Sequence, residues 1–151
     1  MKIRLAEYDD IPECVALGKK FQELTRFNAY DYNAERVEER LKSVIDNAEN
    51  KYVFFLAEDN EGMLLGALIG CLERHFFSDE IVASLIHYDV LPEKRMNGAA
   101  LRLMIAFRKW AENRGAFELS IGVNSGEGVE NLKSFFERLG FLQVGYNFVY
   151  K

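Results

Sequence analysis

Ser84-Leu85-Ile86-His87-Tyr88-Asp89-Val90-Leu91-Pro92-Glu93-Lys94-Arg95-Met96-Asn97-Gly98-Ala99-Ala100-Leu101 is the stretch around which the chain is organised. Ser84 to Val90 reads as a buried strand, and Pro92 punctuates a turn. An amphipathic helix follows, because Ala100, Leu103, Met104, Phe107 and Ala111 recur at the i, i+3, i+4, i+7 spacing of one helical face. Between strand and helix stand Arg95, Gly98 and two alanines. A helix N-terminus exposes unpaired N–H groups and the positive end of the dipole, which together hold an anion such as a pyrophosphate. Gly98, Ala99 and Ala100 let a bulky anion approach the backbone, and Arg95 adds a fixed positive charge with several donors.

On the N-terminal side, Lys2 to Ala6 alternates like a short strand. Asp10 followed by Glu13 reads as a capping-box start, and Ile11, Cys14, Val15, Gly18, Phe21 and Leu24 trace one face of a first helix. Arg26 to Tyr32 is an aromatic, polar break. Asn33 caps a second helix with its stripe at Val37, Leu41, Val44, Ile45 and Ala48. Tyr52 to Ala57 and Met63 to Leu72 form a hairpin, in which Gly66 and Gly70 predict a bulge or a close backbone approach. A loop with His75, Phe76 and Phe77 leads into the organising strand. Beyond its helix, Phe117 to Val123 alternates as a strand. Val129, Leu132, Phe135, Phe136 and Leu139 mark a short helix stopped by Gly140. Phe141 to Tyr150 is expected as a final strand. The order β-α-α-β-β-β-α-β-α-β predicts an α/β fold with a mixed sheet in a single domain, residues 1–151.

Composition agrees with that class. Hydrophobic residues are 49% and charged residues 28%, the balance of a globular chain with a sizeable core. The net charge of −5 argues against nucleic acid as a partner and for cationic ligands such as amines or basic peptides. Two cysteines, Cys14 and Cys71, make no disulfide framework and are expected as buried thiols. No apolar run has transmembrane length and no signal-peptide core opens the chain, so the expected location is the cytoplasm, without a membrane partner. No His/Cys cluster has metal-ligand spacing, so no metal is expected. A homodimer is left open.

Val90-x-Pro92-x-x-Arg95-x-x-Gly98-x-Ala100 resembles the acetyl-CoA-binding motif of the GNAT N-acetyltransferases, commonly Val-x-Pro-x-x-Arg/Gln-x-x-Gly-x-Gly/Ala. Phe135-Phe136-Glu137-Arg138-Leu139-Gly140-Phe141 is similar to the family's Phe/Leu-Tyr-Glu-Lys-Leu-Gly-Phe segment. The element order also matches the GNAT fold, so the resemblance covers nearly the whole chain, and some of its wording is similar to small acetyltransferases carried by tailed phages. The resemblance implies transfer of an acetyl group from acetyl-CoA, as co-substrate, to a primary amine by direct attack in a ternary complex. A small amine, a peptide N-terminus or a lysine all fit as acceptor. The cofactor residues it implies are Val90, Arg95, Met96, Asn97, Gly98, Ala99, Ala100 and Leu101, with Asn124 and Phe136.

Two departures bear on catalysis. In many members the tyrosine of the second segment protonates the leaving thiolate, and Phe136 has no proton to give. A glutamate early in the organising strand often acts as a base through water, and Ser84 stands there. Both favour an alternative, a non-catalytic GNAT-fold protein that binds CoA or a partner protein. The intact Arg95, Gly98 and Ala100 favour the enzyme. An ammonium must lose a proton before it attacks, and His87 and Asp89 share one side of a regular strand. Asp89, assisted by water, is the first candidate base and His87 the second, with Tyr88 and Glu73 behind them. A bulge in the strand would decide which of these faces the cleft.

Overall fold

The computed structural model describes residues 1–90 and 98–151. Strand β1 is Lys2–Leu5, helices α1 and α2 are Ile11–Leu24 and Ala34–Asp46, and strands β2, β3 and β4 are Tyr52–Glu58, Leu64–Arg74 and Ile81–Val90. Helix α3 is Ala99–Asn113, β5 is Glu118–Ser120 and α4 is Val129–Arg138. The strands lie in sequence order in one mixed sheet, antiparallel except for the parallel pair β4–β5, which α3 connects. The α/β class and the mixed sheet are therefore as the sequence implies.

Strand alternation divides the core. Val53, Ala57, Leu68, Leu72 and Ala83 point to one face and bury Leu103, Met104, Phe107 and Ala111 of α3, with Phe136 of α4. Phe54, Leu56, Ala67 and Ile69 point to the other face and bury Ile11, Cys14 and Leu17 of α1 with Leu41 and Val44 of α2. The stripe of α1 is shifted from the expected one: Leu17 is buried and Leu24 is exposed. Cys14 and Cys71 are both buried free thiols.

Asp10 does not cap α1 with its side chain. Its carboxylate instead accepts from the Glu7 backbone N–H at 2.8 Å and pairs with Arg4 at 2.7 Å, and Arg4 also reaches Glu58 at 3.0 Å. That network ties β1 to β2 and to the start of α1. Asn33 caps α2 as expected, accepting from Arg36 N–H at 3.0 Å.

The two strand glycines are sites of close approach. A Cβ on Gly66 would lie 2.7 Å from the Asp89 carbonyl oxygen, and one on Gly70 would lie 2.2 Å from Phe107 Cε1. Phe107 is fully buried and stacks on Trp110 at 6.0 Å, so its ring has nowhere to retreat. Gly70→Ala is therefore expected to destabilise the fold by about 1–3 kcal/mol through overpacking. Urea unfolding measures it, and an unchanged midpoint would mean that the ring is not seated on Gly70.

The final strand expected over Phe141–Tyr150 is not part of the sheet. Residues 142–151 are exposed along their whole length, and β5 covers only Glu118–Ser120 of the expected Phe117–Val123. Alternation alone does not make a strand; it needs a paired edge, and β5 offers a ladder of only three residues. Among the described residues, no helix is long and apolar enough to cross a membrane.

Candidate active site

Strands β4 and β5 are paired only over Val82–Ser84 and Glu118–Ser120. Beyond Ser84, β4 continues to Val90 while β5 has ended, so the two part. From Leu85 to Val90 the outer edge of β4 has no strand partner among the described residues. The N–H and C=O groups of such an edge suit an extended ligand that carries amides. Ser84 lies just below the split, its hydroxyl 3.4 Å from that of Ser120.

The start of α3 is beside the split. The Tyr88 hydroxyl donates to the Ala100 carbonyl at 2.6 Å, which pins the first turn of α3 against β4. Gly98 precedes that turn in the left-handed region, at φ 77°, and as a glycine it has no side chain to cap the helix. Among the described residues, no atom lies within 4 Å of a Cβ built on Gly98. Phe136 comes from α4 on the same face, its ring 6.5 Å from that of Tyr88.

A bulge decides the rest. His87 pairs with Ile69, but Leu85 pairs with Gly70, which makes Ile86 an extra residue on β4. Ala83 and Leu85 face α3. After the bulge Tyr88 and Val90 face α3 instead, while His87 and Asp89 turn to the α1 side. Tyr88 is thus on the opposite face from His87 and Asp89. Burial holds its hydroxyl above its ordinary pKa, so it stays protonated. Glu73 pairs with Val82, roughly 20 Å along the strand from Asp89, so the structure takes it out of the candidate group.

Asp89 is only 3% exposed. Its charge reaches across α1: Cys14 is pushed up to about 12 by burial, with Asp10, Glu13 and Asp89 adding to the rise. Tyr32 is raised by burial and then by Asp89. His87 Nε2 is 3.8 Å from Asp89 Oδ2. The imidazole stands edge-on to Phe21 at 5.5 Å, and Phe27 lies 6.5 Å beyond Phe21. This wall is built from the last turns of α1 and the α1–α2 connection. The Arg26 N–H donates to the Ser125 carbonyl at 3.1 Å, and Arg26 Nε donates to the Asn124 carbonyl. The loop after β5 is thereby fastened to the α1–α2 connection.

The site thus has two sides joined through one split strand pair. One side offers a helix start and an open strand edge, and the other a carboxylate and an imidazole behind an aromatic wall. The sequence matches the acetyltransferase (GNAT) family over residues 19–141. This chain belongs to the GNAT acetyltransferases. The GNAT fold is shared at low identity with solved structures. An aminoglycoside antibiotic 6'-N-acetyltransferase from Acinetobacter baumannii is 18% identical, with a TM-score of 0.75, covering 99% of this chain and 96% of that one. Glucosamine-6-phosphate N-acetyltransferase from Arabidopsis thaliana is 16% identical, with a TM-score of 0.77 and coverage of 99% and 97%. AAC(6')-Iy, in complex with the bisubstrate analogue CoA-S-monomethyl-acetylneamine, is 18% identical, with a TM-score of 0.79 and coverage of 99% and 96%. No curated protein matches the sequence.

Of the residues that the GNAT resemblance implies for the cofactor, Val90 closes β4 and Gly98, Ala99, Ala100 and Leu101 open α3. Phe136 is buried against Tyr88. Asn124 lies in the loop after β5, exposed, its carbonyl held by Arg26. Arg95, Met96 and Asn97 lie outside the described residues. Phe21 on the α1 face and Arg26, Phe27 and Tyr32 in the break after α1 carry no site role in the sequence reading, although the aromatic, polar character of that break is visible there.

A third of the His87 side chain remains accessible, yet burial of the rest pushes its pKa from 6.5 down to about 4. The folded GNAT domain therefore refuses a proton that the unfolded chain accepts. Stability is unaffected above about pH 6.5 and falls as the pH drops from there towards about 4. Allowing for the accessible third, the loss is about 1–2 kcal/mol. In urea unfolding at about pH 7.5 and about pH 4.5, His87→Gln should lose less stability on acidification than the parent. Equal losses would contradict the burial of a neutral imidazole.

Proposed function

We propose that this chain moves the acetyl group of acetyl-CoA to a primary amine by direct attack within a ternary complex. The observation that carries this reading is the split between β4 and β5, which opens on the start of α3 and is backed by Asp89 and His87 on the far face. The amides of CoA's arm suit the free edge between Leu85 and Val90, and the pyrophosphate suits the N–H groups at the start of α3. The amine approaches from the α1–α2 side past Phe21 and Phe27.

The ammonium first gives a proton to Asp89 through water, or to His87, which is neutral at pH 7. The amine nitrogen then attacks the thioester carbonyl. The C–N bond forms, the nitrogen gives its second proton to water, the C–S bond breaks, and the CoA thiolate leaves. Phe136 has no proton to give, so the thiolate takes its proton from water. Tyr88 keeps its own proton and positions the first turn of α3.

Direct attack is favoured because both thiols are poor nucleophiles. Cys14 and Cys71 are buried, and burial raises both pKa values. Initial rates varied in both substrates should give intersecting double-reciprocal lines. Parallel lines, with an acetylated enzyme seen by mass spectrometry, would rule out direct attack. The second reading, a GNAT-fold protein that binds CoA without catalysis, is favoured by Phe136 and Ser84 standing where tyrosine and glutamate are usual in the family.

A further inference from the structure

Four rings stand in a row on the α1 side of β4. His87 meets Phe21 edge-on at 5.5 Å, Phe27 lies 6.5 Å from Phe21, and Tyr30 lies 6.4 Å from Phe27. The row begins at the His87–Asp89 pair, 3.8 Å apart, and ends at Tyr30, which is 59% exposed. It therefore runs from a buried carboxylate to the surface. Phe21 and Phe27 are each partly exposed, as is a third of the His87 side chain, so a ligand can touch the row along its length.

The segment that carries the outer rings is tied down on several sides. The Thr25 hydroxyl accepts from the Phe27 N–H at 3.3 Å. Gln22 Nε2 donates to the Phe27 carbonyl at 2.9 Å and also to the Tyr30 carbonyl. The Tyr32 hydroxyl donates to the Val15 carbonyl at 2.6 Å, and the Arg26 N–H holds Ser125. A surface ordered before its ligand arrives loses little entropy on binding, so it discriminates by shape and polarity.

Its chemistry is one-sided. No residue of the row carries a carboxylate, and the acidic group is Asp89 at the inner end. The Arg26 guanidinium lies 4.7 Å over the Phe27 ring, part-way along. An ammonium at the inner end gains both the carboxylate and the neighbouring ring. A second ammonium farther out would meet apolar rings and a fixed like charge. Sugar hydroxyls there would give up water for ring carbons.

We propose, resting on the acetyl transfer argued above, that the acceptor is a small primary amine with one positive charge, joined by a short link to an aromatic or alkyl body. Phe27 and Tyr30 select it by touching that body.

The full chain is tested at saturating acetyl-CoA with phenylbutylamine, ethylamine, spermidine and glucosamine, following thiol release and N-acetylated product. Binding of the same four amines to the CoA-loaded protein is read separately by calorimetric titration. The kcat/KM for phenylbutylamine should exceed that of each other amine by at least about 30-fold, within the range an apolar pocket achieves. Phe27→Ala and Tyr30→Ala should each cost phenylbutylamine about 10-fold more than ethylamine, through a raised KM. Tyr30 is exposed, so its substitution keeps the comparison available should Phe27→Ala unfold. Spermidine or glucosamine turned over as well as phenylbutylamine would overturn the acceptor class and leave acetyl transfer standing. Equal losses on both amines in both variants would overturn the role of the two rings. If no amine is acetylated, acetyl transfer falls and titration decides the rest. Phenylbutylamine binding that weakens in the variants would then support the ring row as an amine site, and absent binding would overturn it.

Discussion

Gly98→Asp is expected to weaken acetyl-CoA binding about 100-fold or more, the size of a like charge set against a bound anion. Gly98 precedes α3, no described residue lies within 4 Å of its Cβ direction, and the helix start beside it carries the positive end of the dipole. An aspartate there places bulk and negative charge where the pyrophosphate is expected. The left-handed backbone at φ 77° is tolerated by Asn and Asp better than by other side chains, so the substitution should not unfold α3. Gly98→Asn separates charge from bulk, since it keeps the shape and drops the charge. Calorimetric titration should rank affinities as parent, then Asn, then Asp, with circular dichroism unchanged. Equal affinity in all three would remove the start of α3 from the cofactor site.

Asp89→Asn is expected to lower kcat/KM by about 10²–10⁴, the usual loss on removing a general base. The structure places Asp89 and His87 together on the α1 side of β4, 3.8 Å apart, and sends Tyr88 to the other side. His87 is neutral at pH 7, but a pKa pushed down to about 4 by burial makes it a weak base, so the larger loss is expected at Asp89. His87→Ala should therefore give a smaller loss if Asp89 is the principal acceptor, and the larger loss if the imidazole is. The acid limb of the pH profile identifies which group is lost. If both variants keep parental rates and the same profile, the amine loses its proton to bulk water before it binds.

Much of this was readable before any coordinates. The apolar stripes of α3 and α2 and the cap at Asn33 follow from local spacing, which sequence records directly. The helix start at Gly98 is equally local. The placement of His87, Asp89 and Tyr88 was not readable, because a single inserted residue, Ile86, reverses the faces of everything after it. Nothing in Leu85-Ile86-His87 marks it as the bulge. The tail misled for the opposite reason: its alternation is a strong local signal, but strand formation depends on an edge that local sequence does not supply. The tie from Arg26 to Asn124 and Ser125 is not legible locally, because the partners are nearly a hundred residues away in the chain.

The most direct measurement follows the thiol and the acetyl group together. Purified protein is incubated with acetyl-CoA and a panel of small amines, peptides with free N-termini and lysine-containing peptides, while free thiol is read by colour and products by mass spectrometry. The account predicts amine-dependent thiol release, matched mole for mole by N-acetylated product and suppressed in both Gly98→Asp and Asp89→Asn. Tight retention of CoA with no amine-dependent release of thiol across the panel would contradict it and leave the chain a binding protein on an acetyltransferase fold.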